Sequence, residues 1–489
     1  MATLAPAPNP PAVPVGRAPP LPWATRLAYG LGAVATGVKN QGFAYFLLLF
    51  YGQVVGLDAR LVGLALFIAL VADAVSDPVV ATWSDNLRSR WGRRHPFLYA
   101  AALPVAVAFY FVWNPPPGAS QGVLFAWLVT FAVLVRLLMT LHEVPSIALA
   151  PELVADYDGR SALLSLRTFL GWSGGNLMTV LMFALIFPVF STAATPDGQF
   201  NREAYTLYAA IGSGTIATAI LVSALGTHGR IPHLFQPLPR GRLTPKRLVA
   251  EMVETLASRS FAALFGAALL GAVASGLASA LAFYLYTYFW RFSAGQVALL
   301  TSGVFVSAAI GGLLAPLVTR RLGKKRGAIL MGLAAFLGSP LPILLRLAGL
   351  LPEAPWAYWA VLAATIVDVG LIIGFQILMA SMMADLVEQA EVRTGRRSEG
   401  LFFGAVGFAG KLVTGLGVTA ASLLVAAAGL RTGASPAEVP RAVSDRLAAL
   451  YVPTILALWM GMIAVLSLYR LRREDHERNL RILAARRGA

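Results

Sequence analysis

The sequence predicts an all-α membrane protein that crosses the bilayer twelve times. Three observations carry this. First, 57% of the 489 residues are hydrophobic and only 13% are charged, with a mean hydropathy of +0.70, outside the range of an ordinary soluble domain. Second, the apolar residues come in unbroken runs such as FLLLF and LVGLALFIALVA. A barrel strand would alternate every second residue, and backbone groups in lipid must bond internally, so helices are what remains. Third, the basic residues cluster in alternate loops between these runs.

Taken in order, residues 1–22 form a Pro/Ala-rich tail (NPPAVPVGRAPPLP), expected to be disordered. It has no basic start leading into a short apolar core, so it does not read as a cleavable signal peptide. Spans 1 to 6 follow at 24–51, 61–83, 97–113, 123–150, 162–192 and 204–225. Each is about the ~20 residues that cross ~30 Å of hydrocarbon, and the longer ones can tilt. Pro145 and Pro151 are expected to bend or end span 4. Residues 227–260 are the only long polar interval, and they divide the spans six and six. Spans 7 to 12 are read at 261–289, 296–320, 327–350, 357–386, 400–430 and 448–471. The expected units are therefore a bundle over 23–226, a central loop over 227–260, a second bundle over 261–471 and a basic tail over 472–489.

The net charge of +16 is explained by topology. Arg88, Arg90, Arg93 and Arg94 follow span 2, and Arg240, Arg242, Lys246 and Arg247 lie in the central loop. Arg320, Arg321, Lys324, Lys325 and Arg326 follow span 8, and Arg472, Arg473, Arg478, Arg486 and Arg487 lie in the tail. This positive-inside pattern puts both termini in the cytoplasm and argues against nucleic-acid binding. The loops Arg90-Trp91-Gly92-Arg93-Arg94 and Arg321-Leu322-Gly323-Lys324-Lys325 both read basic-x-Gly-basic-basic, each after the second span of its half. That placement favours an internal repeat, as in transporters built from related halves.

Ionisable residues inside spans are costly and mark cavities or partners. Here they are Lys39, Asp73, Asp77, Arg136, Glu143, Asp368 and Lys411, with Arg167 and Arg346 nearer to span ends. Asp73 and Asp77 are four apart and share a helix face. Two carboxylates so close need positive charge nearby: a proton, a metal cation or a basic side chain. Asp73, Lys411 and Thr140 each lie ~10 residues, or ~15 Å, from the cytoplasmic end of their spans. A hydroxyl oxygen such as that of Thr140 suits a hard cation. Arg136, Thr140 and Glu143 fall at i, i+4 and i+7 on one face of span 4. These residues fit either a cation site exchanging with Lys411 or an ion-pair network that ties helices together. Lys39 is open to pairing with Asp368 or Glu143.

Other motifs are discounted. Gly171-Trp172-Ser173-Gly174-Gly175 fits G-x-S-x-G, but it lies inside span 5 and reads as close packing through Gly171 and Gly175. His142-Glu143 opens H-E-x-x-H, whose second histidine is Ser146 here. Gly30-x-Gly32 has no preceding strand for a dinucleotide site.

The segments YGLGAVATG, FYGQVVGL, DAVSDP with SDNLRSRWGRRHPF, HEVPSIALAPEL with DYDGRSALLSLR, and ADLVEQAEVRTGRRSEGLFFGAVGFAGKL together resemble the glycoside–pentoside–hexuronide:cation symporters, the melibiose-permease-like branch of the major facilitator superfamily. The resemblance covers spans 1–5 and 10–11. It implies two six-helix bundles around a central cavity alternately open to each side. It also implies a cation site on Asp73, Ser76, Asp77 and Thr140, with Na⁺ on Asp73, Asp77 and Thr140 if sodium is the coupling ion. Ser76 stands where the family often has asparagine. Lys411 matches the family lysine of span 11, Glu143 a sugar-contacting acid and Arg167 an arginine of span 5. Lys39, Arg136 and Asp368 complete the expected solute contacts. Asp85, Arg90, Gly92, Arg93 and Arg94 are the expected cytoplasmic gate. Gly37 and Ile147 replace a sugar-binding aspartate and a stacking tryptophan, which argues against melibiose itself.

The function this implies is Na⁺- or H⁺-coupled symport of a sugar, glycoside or hexuronide across the plasma membrane, with no cofactor beyond the coupling cation. The expected partners are the solute, the cation and membrane lipids, with the chain acting as a monomer. A lysolipid-like solute is the alternative, because lysophosphatidylcholine symporters of the same branch share the two aspartates. A scramblase or sensor would lack gradient-dependent uptake, and a membrane enzyme would need a nucleophile or metal set that the sequence does not offer.

Overall fold

The computed structural model describes residues 20–154, 157–193, 195–234, 259–352, 354–394, 399–470 and the short pieces 474–475, 477–479 and 481–482. Most of the N-terminal tail, most of the central loop and most of the C-terminal tail lie outside the described residues. Helix α1 runs Trp23–Gln41 and continues through π-helical turns at Gly42–Phe46 and Phe50–Val55. It stops at Gly56, whose φ of 86° is a left-handed conformation that glycine adopts without a Cβ penalty. Then come α2 (Ala59–Asn86), α3 (His95–Val112), α4 (Gln121–Leu153), α5 (Tyr157–Leu181, prolonged to residue 189) and α6 (Arg202–His228). Asp58 caps α2 by accepting from the Arg60 amide at 2.8 Å, and Asn201 caps α6 through the Glu203 amide at 2.9 Å.

In the second half, α7 is Arg259–Tyr284 with a π-helical turn at Leu285–Phe289. One helical path, Ala294–Gly338, holds both α8 and α9, broken where Gly323 takes φ 74° and ψ 167°. The remaining helices are α10 (Pro355–Thr394), α11 (Glu399–Ala428) and α12 (Arg441–Ser467). Nine helices among the described residues are long and apolar enough to cross a membrane. One of them is the α8–α9 path, which crosses twice, and α1 and α11 bring the crossings to twelve. No strand occurs among the described residues. Helix α12 starts earlier than its apolar run, and α10 runs past the expected residue 386, because helices extend into the polar layer beyond the hydrocarbon.

The packing repeats between the halves. α1 packs on α5 and α6, α2 on α4, and α3 on α4 and α6. In the same way α7 packs on α11 and α12, α8 with α9 on α10, and the α8–α9 path on α12. Helix pairs that join the bundles include α2 with α11 and α5 with α8. Without a hydrophobic force between helices in lipid, close approach depends on small residues. At the α1–α5 crossing a Cβ built on Gly37 would collide with the Gly171 carbonyl, and one on Gly175 would lie 2.6 Å from the Gly37 carbonyl oxygen.

The bundles also meet at the end away from the basic loops. Tyr284 donates to the Leu48 carbonyl at 3.1 Å, Thr287 to Gln199 at 3.1 Å, and the Gly433 amide to the Gly52 carbonyl at 3.2 Å. Phe283 of α7 packs on Phe46 of α1 and Phe183 of α5, with ring centroids 4.9 and 4.7 Å apart.

Candidate functional site

Helices α2 and α4 bring Asp73, Ser76, Asp77 and Thr140 together. Asp73 and Thr140 are buried at 2% and 1% exposure, and Asp77 is half-buried. The Thr140 Oγ1 lies 3.1 Å from each of three oxygens: Asp73 Oδ1, Asp77 Oδ1 and its own helix's Arg136 carbonyl. Ser76 Oγ is 3.3 Å from Thr140 Oγ1 and donates to the Asp73 carbonyl at 2.9 Å. One hydroxyl carries one proton, so Thr140 cannot satisfy all these acceptors at once. The cluster gathers carboxylate and hydroxyl oxygens, the ligand type a hard cation takes.

Positive charge reaches the cluster from its own face of α4. Arg136 Nη1 donates to Asp73 Oδ2 at 3.1 Å, and the guanidinium stands 5.2 Å from the Phe43 ring centroid. Thus Arg136, grouped with the solute contacts by the sequence reading, sits against the acid pair. Lys39 lies 4.0 Å from Glu143, with its side chain 3% exposed. The side chain of Lys411 lies outside the described residues.

A cavity of about 1050 Å³ lies between the bundles. Of the solute residues expected from sequence, Arg167 and Asp368 line it. Lys39, Arg136 and Glu143 are not among the residues that line it. Sequence reasoning missed the amides Asn40, Gln41, Asn176 and Gln376, which also line the cavity. Gln41 Nε2 donates to Asn176 Oδ1 at 2.9 Å, across the glycine crossing of α1 and α5. Amides inside otherwise apolar runs were the signal available for them.

At the basic-loop end, Gly92 has φ 70°, and the loop closes through Ser89 Oγ donating to the Gly92 carbonyl at 2.6 Å. This turn aims Arg93 and Arg94 at Glu152, the acid at the end of α4, each at 3.0 Å. Arg94 also donates to Ser84 at 2.7 Å and pairs with Asp85. Arg90 stays on the surface, 5.5 Å from the Trp91 ring. The second half has a matching arrangement: Gly323 turns with φ 74°, and Lys324 meets Asp385 of α10 at 2.6 and 2.8 Å. Neither Glu152 nor Asp385 was singled out from sequence, since each partner lies about 60 residues from its loop.

The chain matches the family of MFS/sugar transport proteins over residues 28–473. An uncharacterized symporter of Synechocystis (sll1374) is 32% identical over 237 residues, covering 47% of this chain and 42% of that protein. The isoprimeverose transporter of Lactiplantibacillus pentosus is 23% identical over 415 residues, covering 84% of this chain and 81% of that protein. Among solved structures, a D-xylose-proton symporter superposes with a TM-score of 0.62 at 14% identity, covering 93% of this chain and 98% of that one. At that identity the likeness speaks for the fold alone.

Proposed function

The chain belongs to the MFS/sugar transport family, a family of transporters and not of enzymes, and on that premise we propose that it is a cation-coupled symporter of a sugar, glycoside or hexuronide. The observation that carries the proposal is the oxygen cluster itself: Asp73, Ser76 and Asp77 bring oxygens to the Thr140 hydroxyl, and both carboxylates belong to one helix. A Na⁺ held by Asp73, Asp77 and Thr140, with Ser76 beside it, would relieve the repulsion within the pair; a proton on Asp77 is the other way to do so. Arg136 pairs with Asp73 and holds it in place, leaving the more exposed Asp77 as the side that loads and unloads.

The solute would occupy the cavity between the bundles, with Arg167, Asp368 and the four amides as its contacts. Glu143, Lys39 and Arg136 would act from outside its lining, linking the cation cluster to the α1 wall of that cavity. Ligands favour the conformation that binds them best, so joint occupancy would drive the switch between sides. Arg93 and Arg94 with Glu152 and Asp85, shaped by Gly92 and flanked by Arg90, would form the gate at the basic-loop end. We place that end and both termini in the cytoplasm, with a bundle over 23–226 and another over 261–471, in a plasma membrane.

The test is uptake into proteoliposomes with xylose, isoprimeverose and glucuronate as probes, under an imposed Na⁺ gradient or pH gradient. At least one gradient should drive accumulation in the natural protein and none should in Asp77→Asn, while exchange without a gradient persists. Equal accumulation by the variant would refute the assignment.

A further inference from the structure

Two opposite charges face the same cavity from opposite bundles, and neither forms an ion pair among the described residues, although the Ser339 side chain hydrogen-bonds Asp368. Arg167 of α5 has its Nε and Nη2 buried without a hydrogen-bond partner. Asp368 of α10 is 9% exposed, and its Oδ1 has no hydrogen-bond partner. Other charges at this depth are compensated, Asp73 by Arg136 and Glu143 by Lys39. The mismatch therefore belongs to the cavity. Buried charges persist where a partner or ligand completes them, because an unmatched ion in a low-dielectric site is costly.

The surroundings of the two charges differ. The rings of Tyr286 and Tyr451 stand close to Asp368 and line the same cavity as Trp290, and aromatic faces favour a desolvated ammonium. Trp290 already shows this preference, with the Arg346 guanidinium 5.0 Å from its centroid. Arg167 lines the cavity lower on the α1–α5 wall, at the level of Gly30, where a planar fork of N–H donors suits a carboxylate or phosphate.

We propose, resting on the transport reading above, that the solute is a zwitterion: a polar molecule whose anionic group meets Arg167 and whose ammonium meets Asp368. A neutral sugar leaves both charges unmatched, and a simple uronate matches one of them. A cavity of about 1050 Å³ is at the upper end of small-molecule sites, which run to about 1,000 Å³. A solute that holds one charge on each bundle also bridges the two bodies that must close together.

The experiment is binding to the purified full chain by calorimetry, with four probes that share a hexose ring: glucose, glucuronate, glucosamine and muramic acid. Muramic acid carries both an amine and a carboxylate, and it should bind at least about tenfold tighter than glucose. Asp368→Asn should weaken muramic acid and glucosamine about tenfold and spare glucuronate. Arg167→Gln should weaken muramic acid and glucuronate and spare glucosamine. Asp368→Glu, which keeps the charge, should keep the preference for amines and guards against a misfolded amide variant. Glucose binding as tightly as muramic acid, no binding of any charged probe, or amine-bearing probes indifferent to Asp368→Asn would overturn the inference. Gradient-driven uptake of neutral xylose, together with any of those results, would leave the symport reading standing and remove only this one.

Discussion

Replacing Thr140 with valine tests the cation cluster at its centre. The Thr140 Oγ1 is 3.1 Å from both Asp73 Oδ1 and Asp77 Oδ1, so those carboxylate oxygens are at most about 6 Å apart. At an effective dielectric of ~20, two unit charges at that spacing repel by about 3 kcal/mol. Valine keeps the shape but removes both a cation ligand and the one donor that the two acids share. A hydrogen bond to a charged group contributes about 1.5–3 kcal/mol, which corresponds to a roughly 10- to 100-fold loss of affinity. The assay is a Na⁺ titration of the purified protein, followed by thermal stability at fixed pH. Thr140→Val should move the Na⁺ midpoint upward by at least tenfold, and Thr140→Ser, which retains the hydroxyl, should restore most of it. A Thr140→Val midpoint within about twofold of the natural one would refute the coordination argument.

Other expectations follow from the surrounding geometry. Glu152→Gln removes the negative charge shared by Arg93 and Arg94 and should lower the melting temperature. In a double-mutant cycle with Arg94→Gln the coupling should exceed about 1 kcal/mol, whereas additive effects would show that the pair contributes little. Gly37→Asp restores the acid found in melibiose permeases, but its Cβ would collide with the Gly171 carbonyl. It should destabilise the protein by at least about 2 kcal/mol and confer no galactoside binding; a natural melting temperature would contradict the packing argument. Exchanging the charges in Lys324→Asp with Asp385→Lys should recover stability lost by either single change, and failure to recover would separate this pair from the one at Glu152.

The twelve crossings were legible because length and hydropathy are local properties. The faces were legible too, since Asp73 with Asp77 and Arg136 with Thr140 each repeat at four residues, but that α2 and α4 meet was implied only by the family resemblance. The partner of the acid pair was harder to read. Depth along a helix fixes a layer and not a direction, and the reading that set Lys411 against the acid pair rested on depth alone. In the fold Arg136 pairs with Asp73, one turn from Thr140 on the same face. Glu152 and Asp385 were hidden for the same reason, as acids at helix ends that acquire meaning only when a basic loop folds back on them. The glycine crossing of α1 and α5 leaves no room for an acid at Gly37: the backbones are too close for a side chain there.

The central claim is that Asp73 and Asp77 hold a reversible cation. The most direct measurement is equilibrium binding of radiolabelled Na⁺ to the purified protein, with proton uptake followed in the same samples, for the natural chain, Asp73→Asn and Asp77→Asn. The expected result is saturable binding of one cation or the other in the natural chain and its loss in both variants. Natural stoichiometry retained in both variants would contradict it.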